Sequence, residues 1–344
     1  MSSAQGLWPA YHAPLTYLLA FGTALLVALW ATPVVMAAAR KCGIVDRPDG
    51  ALKTHKEPVP YLGGVAIYGS FLVALAVSLE FGSEVLGILL AGAIVVLLGL
   101  IDDLGALGPW IKLAGQAVAV GVLLKSAVFI KLVFLPVWAQ LPLTVLWLLA
   151  VTNAFNLIDI MDGLSAGVGA VAASLLFVVA VMAGRPMIAT LLAALAGSLL
   201  GFLKYNFEPA RIYMGDTGSL FIGLMLGALA MNNSYTVHNR VASLAPAVIL
   251  GVPIFDMLFV MYIRWRRGLP VMRGSPDHFA LRLRKWHLST RQTAFASYGA
   301  TLALGLLALG MTLVSARAAV VLLAGGCAAA LAAAYVLRKI DMTL

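Results

Sequence analysis

The chain has 344 residues, 62% of them hydrophobic and only 11% charged, with a formal net charge of +9. A soluble domain sits nearer half apolar and a quarter charged, so this composition excludes an ordinary soluble enzyme, a disordered chain and a disulfide-stapled secreted module. At ~20 residues per membrane-spanning helix, the length holds roughly ten or eleven spans.

The first apolar run, residues 14–39, is too long for a signal-peptide core and follows no basic segment, so it predicts a retained first span. Ten further helices are predicted over 63–80, 84–101, 112–129, 142–157, 163–183, 186–203, 217–233, 241–263, 291–314 and 317–337. Segment 130–141 is apolar but short and holds Pro136, which leaves a re-entrant piece or a small strand pair open. The expected fold is therefore an all-α polytopic membrane protein of about 10–11 spans in a single domain, 1–344. Cys42 and Cys327 lie far apart, without metal-ligand spacing, and read as structural thiols.

Polar groups interrupt these runs in five places. Asp46-Arg47-Pro48, Lys53-Thr54-His55-Lys56 and Pro58-Val59-Pro60 form a stiffened loop that ends on Gly63-Gly64 at a helix start. Gly99-Leu-Ile-Asp102-Asp103 closes the third helix, with Lys112 and Gln116 following. Adjacent carboxylates repel, so a metal, a proton or Lys112 must lie between them. Asn153, Asn156, Asp159 and Asp162 recur every third position at the end of the fifth helix. That spacing gives one ridge of oxygen-bearing side chains, suited to a hard cation. Tyr213-Met-Gly215-Asp216-Thr217-Gly218-Ser219 opens the eighth helix, where Asp216 stands in a capping position and a helix N-terminus favours phosphate. Last comes the basic stretch 264–285, containing Ser275-Pro276-Asp277-His278 and Arg282, which suits an anionic substrate or lipid headgroups.

Lys and Arg fix the expected orientation. Stretch 40–62 holds five, 102–112 one, 204–216 two, 264–291 eight and the C-terminal segment two, against Lys125, Lys131, Arg185, Arg240 and Arg317 on the other side. The positive-inside rule then puts the N-terminus outside and the C-terminus in the cytoplasm, with cytoplasmic loops at about 40–62, 102–112, 158–162, 204–216 and 264–290. It also accounts for the basic charge without a nucleic-acid partner. Eleven of the 14 acids fall on the cytoplasmic side, several at the ends of apolar helices, where desolvation is costly and function is the default expectation. Asp256 lies inside a predicted span and is expected to pair with a basic residue of the adjoining loop.

In their order and spacing these motifs resemble the polyprenyl-phosphate N-acetylhexosamine-1-phosphate transferases. Asp-Arg-Pro with Lys-x-His and Pro-x-Pro-x-x-Gly-Gly, Gly-x-x-Asp-Asp with the later Lys112, Asn-Ala-Phe-Asn-Leu-Ile-Asp with Asp-Gly-Leu, and Met-Gly-Asp-Thr-Gly-Ser all occur, spanning about 46–285. The Pro-Tyr-Leu-Gly-Gly ending is more similar to the bacterial UDP-GlcNAc:undecaprenyl-phosphate enzymes than to the MurNAc-pentapeptide enzyme.

The resemblance implies a multi-pass protein of the bacterial inner membrane with a periplasmic N-terminus, feeding cell-envelope glycan synthesis. It implies attack of a polyprenyl phosphate oxygen on the β-phosphorus of a UDP-N-acetylhexosamine, with UMP leaving. It implies Mg²⁺, for which Mn²⁺ could substitute, and it admits a homodimer. By the same resemblance Asp216, aided by Asn156, holds the metal. Asp102 and Asp103 face the lipid phosphate, with Asp102 the candidate base, although a phosphate monoester with a second pKa of about 6 is already mostly dianionic. Lys112 holds phosphate oxygens, Asp159 and Asp162 help form the nucleotide pocket, Asn153 joins the substrate-binding set, Tyr213 stacks on uracil, and His55 or Lys56 closes over the nucleotide.

There is one departure from the family pattern. Where bacterial members carry His-x-His-His, this chain has His278 followed by Phe279, Ala280 and Leu281, then Arg282. That spacing is similar to the Arg-containing segment of the eukaryotic dolichol-phosphate enzymes, which implies that His278 and Arg282 hold the diphosphate. Two other readings stay open on the residues: a polytopic transporter, and an inactive relative that binds polyprenyl phosphate. Ionisable groups gathered at one face, rather than at the midplane, argue against the transporter.

Overall fold

The computed structural model describes residues 13–46, 58–78, 82–105, 107–132, 134–233, 235–270 and 276–342. All eleven predicted runs are helical. They are α1 (Ala13–Lys41), α2 (Gly63–Ser78), α3 (Ser83–Gly105), α4 (Pro109–Lys125), α5 (Val137–Ile158), α6 (Leu164–Met182), α7 (Pro186–Asn206), α8 (Gly215–Met231), the broken pair α9 (Ala245–Ile249) and α10 (Gly251–Arg266), α12 (Thr290–Leu313) and α13 (Ala316–Leu337). A short α11 (Phe279–Lys285) sits in the last long loop. The one strand pair, among the described residues, is β1 (Val45–Asp46) antiparallel to β2 (Val59–Pro60), inside the Asp-Arg-Pro to Gly-Gly loop.

Seven of these helices are long and apolar enough to cross a bilayer, and the α9–α10 pair makes an eighth if it counts as one span. The chain is thus an all-α, multi-pass membrane protein. The shorter apolar helices α2 and α8 complete the bundle. The α9–α10 pair bends by 78°, where a single run was expected. Pro246, Gly251 and Pro253 cluster at the break, and each proline removes a backbone donor from the helical ladder. Segment 130–141 holds no strand pair among the described residues. Its described residues up to Pro136 lie outside any helix, and Pro136 stands at the N-cap of α5, so that helix begins five residues earlier than its apolar run suggested. Cys42 and Cys327 are both exposed and unpaired, so neither packs the core.

Helices α6, α7 and α8 are buried along most of their length and form the centre of the bundle. Helix α13 is exposed along almost its whole length, as suits an apolar helix facing lipid. The C-terminal ends of α3, α5 and α7 and the N-terminal ends of α2, α4 and α8 meet at one end of the bundle. That convergence gathers the polar motifs.

Candidate active site

The third and eighth helices approach more closely than any side chain would allow. A Cβ on Gly99 would lie 2.4 Å from the Thr217 amide nitrogen, and α2 approaches α8 as tightly, since a Cβ on Gly64 would lie 2.2 Å from the Gly218 amide nitrogen. The Gly99 contact sets the Asp102-Asp103 pair over the first turn of α8. Asp103 Oδ1 accepts from the Asp216 amide at 2.8 Å, and Oδ2 accepts from the Thr217 amide at 3.1 Å and the Thr217 hydroxyl at 2.6 Å. A helix start leaves four backbone N–H groups without intrahelical partners, and α8 has no side-chain cap of its own at Met214. Asp103 supplies that cap from another helix. The expectation that Asp103 faces a lipid phosphate is corrected on this ground, because both its oxygens are engaged by α8. So is the expectation that Asp216 caps α8 itself.

Asp216 is thereby left to face the cluster. Asn156 Nδ2 donates to Asp216 Oδ1 at 2.7 Å and is also 2.9 Å from Ser219 Oγ. The Lys112 ammonium donates to Asp216 Oδ2 and lies 2.9 Å from Asp102 Oδ2. Asp102 also accepts from the Leu107 amide. Lys112 sits in the first turn of α4, whose start is fixed by Pro109. One turn further along, Gln116 and Asn153 exchange hydrogen bonds of 2.7 and 3.3 Å, and Asn153 also donates to Leu149 O at 2.8 Å. Asn153 therefore joins α4 to α5 and orients the ridge that carries Asn156, rather than presenting a free amide to a substrate.

Asp159 and Asp162 follow the end of α5. Burial, followed by the charges of Asp216, Asp103 and Asp162, holds the Asp159 carboxyl well above the usual carboxylate range. Asp162 Oδ2 accepts from the Ala210 amide at 2.9 Å, which ties this turn to the loop before α8. The same loop carries Tyr213. Its amide donates to Pro60 O at 2.9 Å, and its carbonyl and that of Met214 accept from the Gly63 and Gly64 amides at 3.0 and 2.9 Å. The Pro-x-Pro-x-x-Gly-Gly segment is thus docked on the Met-Gly-Asp motif through backbone alone. Burial, then Asp162, Asp46 and Asp159, push the Tyr213 hydroxyl up to about 12, so it is a neutral phenol at physiological pH. Asp46 of the Asp-Arg-Pro motif accordingly belongs to the same end. His55 and Lys56 lie outside the described residues.

His278 and Arg282 are placed elsewhere in the chemistry. Arg282 is 0% exposed. It donates to Asp277 Oδ1 at 2.7 Å, to Asp277 O at 3.2 Å, and to the carbonyls of Leu337 and Ile340 at 3.1 and 2.7 Å. His278 Nδ1 is 2.6 Å from Asp256 Oδ2, and Asp256 Oδ1 accepts from the Phe279 amide at 2.8 Å. The expectation that Arg282 holds a diphosphate is overturned: its guanidinium is enclosed by protein acceptors and fastens the loop to the end of α13. His278 is buried against Asp256, which is the pairing expected for that intramembrane acid.

Two residues of this end went unnoticed in the sequence. Asn206 Oδ1 accepts from the Gly163 amide at 3.1 Å while its Nδ2 donates to Ile212 O at 3.0 Å, and Tyr298 OH donates to Gly163 O at 2.6 Å. Together they hold the Asp159–Gly163 turn. Neither belongs to a local motif, and only their place at helix ends could have drawn attention.

Asp102, Asp103, Asp159, Asp162 and Asp216 thus share one end of the bundle with Asp46, and Lys112 pairs with two of them, Asp102 and Asp216. No three His, Cys, Asp or Glu side chains there form a closed metal cage, among the described residues. The donors are hard oxygens nonetheless, and Mg²⁺ usually takes only one or two protein carboxylates and completes its shell with water and substrate phosphates.

A model of glycosyl transferase family 4 matches residues 85–234. That range covers Asp102 through Asp216 and stops before the His278–Arg282 loop. The chain is 36% identical over 290 residues to a probable undecaprenyl-phosphate N-acetylglucosaminyl 1-phosphate transferase of Bacillus subtilis, covering 81% of this chain and 80% of the relative. It is 31% identical over 314 residues to a decaprenyl-phosphate N-acetylglucosaminephosphotransferase of Mycobacterium leprae, covering 80% and 79%. It is 34% identical over 296 residues to a phospho-N-acetylmuramoyl-pentapeptide-transferase of Moorella thermoacetica, covering 76% and 89%.

Proposed function

The chain belongs to glycosyl transferase family 4, and on that premise we propose that it transfers an N-acetylhexosamine-1-phosphate, GlcNAc-1-phosphate first among them, from a UDP-sugar to a membrane polyprenyl phosphate. An oxygen of the lipid phosphate forms a bond to the β-phosphorus, the bond from that phosphorus to the UMP oxygen breaks, and UMP departs. The polyprenyl-diphosphate-sugar stays in the membrane as the first lipid-linked intermediate of an envelope glycan. The reaction runs at the cytoplasmic face of the bacterial inner membrane, the side that the Lys and Arg count favours.

The observation that carries this reading is the Lys112 ammonium held between Asp102 and Asp216, with Asn156 on the other oxygen of Asp216. Phosphoryl transfer demands little covalent chemistry from a protein. It demands fixed charges where negative charge builds up. Lys112 supplies one such charge and can exchange a carboxylate for a phosphate oxygen when substrate enters. Asp103 fixes the start of α8, and so fixes Asp216. Asp102 accepts from Leu107 and Lys112, so we assign it to positioning; a dianionic nucleophile needs no base. Tyr213, a neutral phenol beside Asp162 and Asp159, offers its ring to the uracil. Asp216 and Asn156 would hold Mg²⁺, which when bound would offset charge on the diphosphate and on the departing UMP.

The test is direct. Purified protein with Mg²⁺, polyprenyl phosphate and radiolabelled UDP-GlcNAc should release UMP and put label into lipid in equal amounts. UDP-GalNAc and UDP-MurNAc-pentapeptide in parallel would identify the sugar. No lipid-linked label with any of these donors would sink the transferase reading and favour an inactive lipid-binding relative.

A further inference from the structure

Helices α3, α5 and α8 bring their carboxylates to one end, and at the opposite end α5, α8 and the start of α7 join the segments after α4 and before α10 to line a cavity of about 240 Å³. The 17 residues of α8, at about 1.5 Å each, separate the two places by roughly 25 Å, close to the thickness of a bilayer core. Lys131, Arg185, Thr236 and Ser243 are among the polar residues of the cavity wall, and Trp147 and Leu244 belong to its apolar part. The Trp147 indole is fixed by a 2.9 Å hydrogen bond to Gly227 O.

Three features point to an anion. This end of the bundle carries Lys125, Lys131, Arg185, Arg240 and Arg317, and two of those five meet at one cavity. Among the described residues, neither Lys131 nor Arg185 lies within ion-pair distance of a carboxylate. Glu84, the acid at the start of α3, is held by Asn232. The surroundings point further, to an amphiphile. Leu244 on the wall is 47% exposed, and Val137 and Trp138 at the nearby start of α5 are exposed as well, which puts the cavity mouth at the lipid border. The volume falls below the roughly 300–1,000 Å³ usual for drug-sized ligands, so it suits a headgroup and not a whole small molecule.

We propose that this cavity binds the phosphate headgroup of an anionic membrane phospholipid, with Lys131 and Arg185 on the phosphate and the acyl chains passing over Leu244 into the bilayer. The site is independent of the transferase reading.

The test uses the full chain in a neutral detergent, with exposed Cys42 and Cys327 changed to Ser and with Ser243→Cys supplying a reporter in the cavity wall. The measurement is the rate at which a water-soluble maleimide alkylates that thiol. Dioctanoyl phosphatidylglycerol should slow alkylation at least fivefold, while dioctanoyl phosphatidylcholine and inorganic phosphate leave it unchanged. Adding Lys131→Gln and Arg185→Gln should abolish the protection. Equal protection by phosphatidylcholine, protection by inorganic phosphate alone, or protection that survives loss of both charges would each overturn the proposal. Because Lys131 and Arg185 are exposed, their replacement leaves the fold intact, which the unprotected alkylation rate checks.

Discussion

Two regions of this protein bury charged side chains, and they do so in opposite ways. In the loop around α11 the buried charges of Arg282, Asp277, His278 and Asp256 are matched within the protein. Arg282 and Arg267 share Asp277, His278 meets Asp256, and carbonyls at the end of α13 take the remaining guanidinium donors. At the junction of α3, α5 and α8 five carboxylates crowd together, and Lys112 pairs with two of them, Asp102 and Asp216. A matched set is complete without a ligand. An excess of one sign is held together at a cost, and like charges at close quarters demand a cation from outside. On this contrast we place the proposed chemistry in the second region and give the first to construction.

The sharpest way to break this contrast is Asp216→Asn. The amide keeps the shape and one acceptor but removes the charge that faces Lys112 and would face the metal. We expect turnover to fall by at least about a thousandfold, the scale of losing a preorganised electrostatic group, with insertion and thermal stability preserved. Near-normal turnover, measured as UMP release, would remove Asp216 from the metal role.

Arg282→Met tests the other half. Breaking a buried, hydrogen-bonded ion pair by removing one partner costs about 3–5 kcal/mol, because the buried Asp277 then loses its enclosed cation and keeps the half-exposed Arg267. The expected result is a lower yield of folded protein and a lower Tm in detergent, with KM for the UDP-sugar unchanged in what survives. A stable variant with a raised KM would mean that the loop touches substrate, and the contrast would fail.

Asp103→Asn sits between the two regions, since this carboxylate is in the cluster yet does structural work. Removing a helix cap costs about 1–2 kcal/mol. A shift of Asp216 by an ångström would add a roughly hundredfold loss in kcat. Both effects together, with KM little changed, would mark a positioning residue. A large rise in KM for polyprenyl phosphate alone would instead return Asp103 to the lipid phosphate.

Much of this could be read from the sequence, for identifiable reasons. Apolar runs bounded by charge gave all eleven helical regions, because a bilayer permits little else. The bend at α9–α10 was missed because a hydropathy run does not register a proline cluster. That Asp102, Lys112, Asn156 and Asp216 gather in one place was legible because their motifs put polar groups at helix ends. The role of Asp103 was not, because it depends on how α3 passes α8 across Gly99, 118 positions before Thr217. Arg282 was misjudged because spacing says where a residue lies along a helix but not which way its side chain turns.

The smallest predicted effect concerns Asp159 and has the opposite sign to the rest. Its carboxyl is held above the ordinary value of 3.8 by burial and by Asp216, Asp103 and Asp162, so folding disfavours its charged form. A group raised in this way leaves stability untouched below about pH 3.8, where it is protonated in both states. Stability is lost as pH climbs from there through the raised folded value, and the loss is complete above it. Asp159→Asn removes that loss. In metal-free buffer the variant should therefore melt roughly 1–3 °C above the parent at pH 7–8, and the gap should close as pH falls toward 4. Mg²⁺ should narrow the gap at neutral pH as well, since a bound dication offsets the same repulsion. A gap independent of both pH and Mg²⁺ would show that Asp159 is not part of an over-charged cluster, and the excess of acid that separates the two regions would shrink by one.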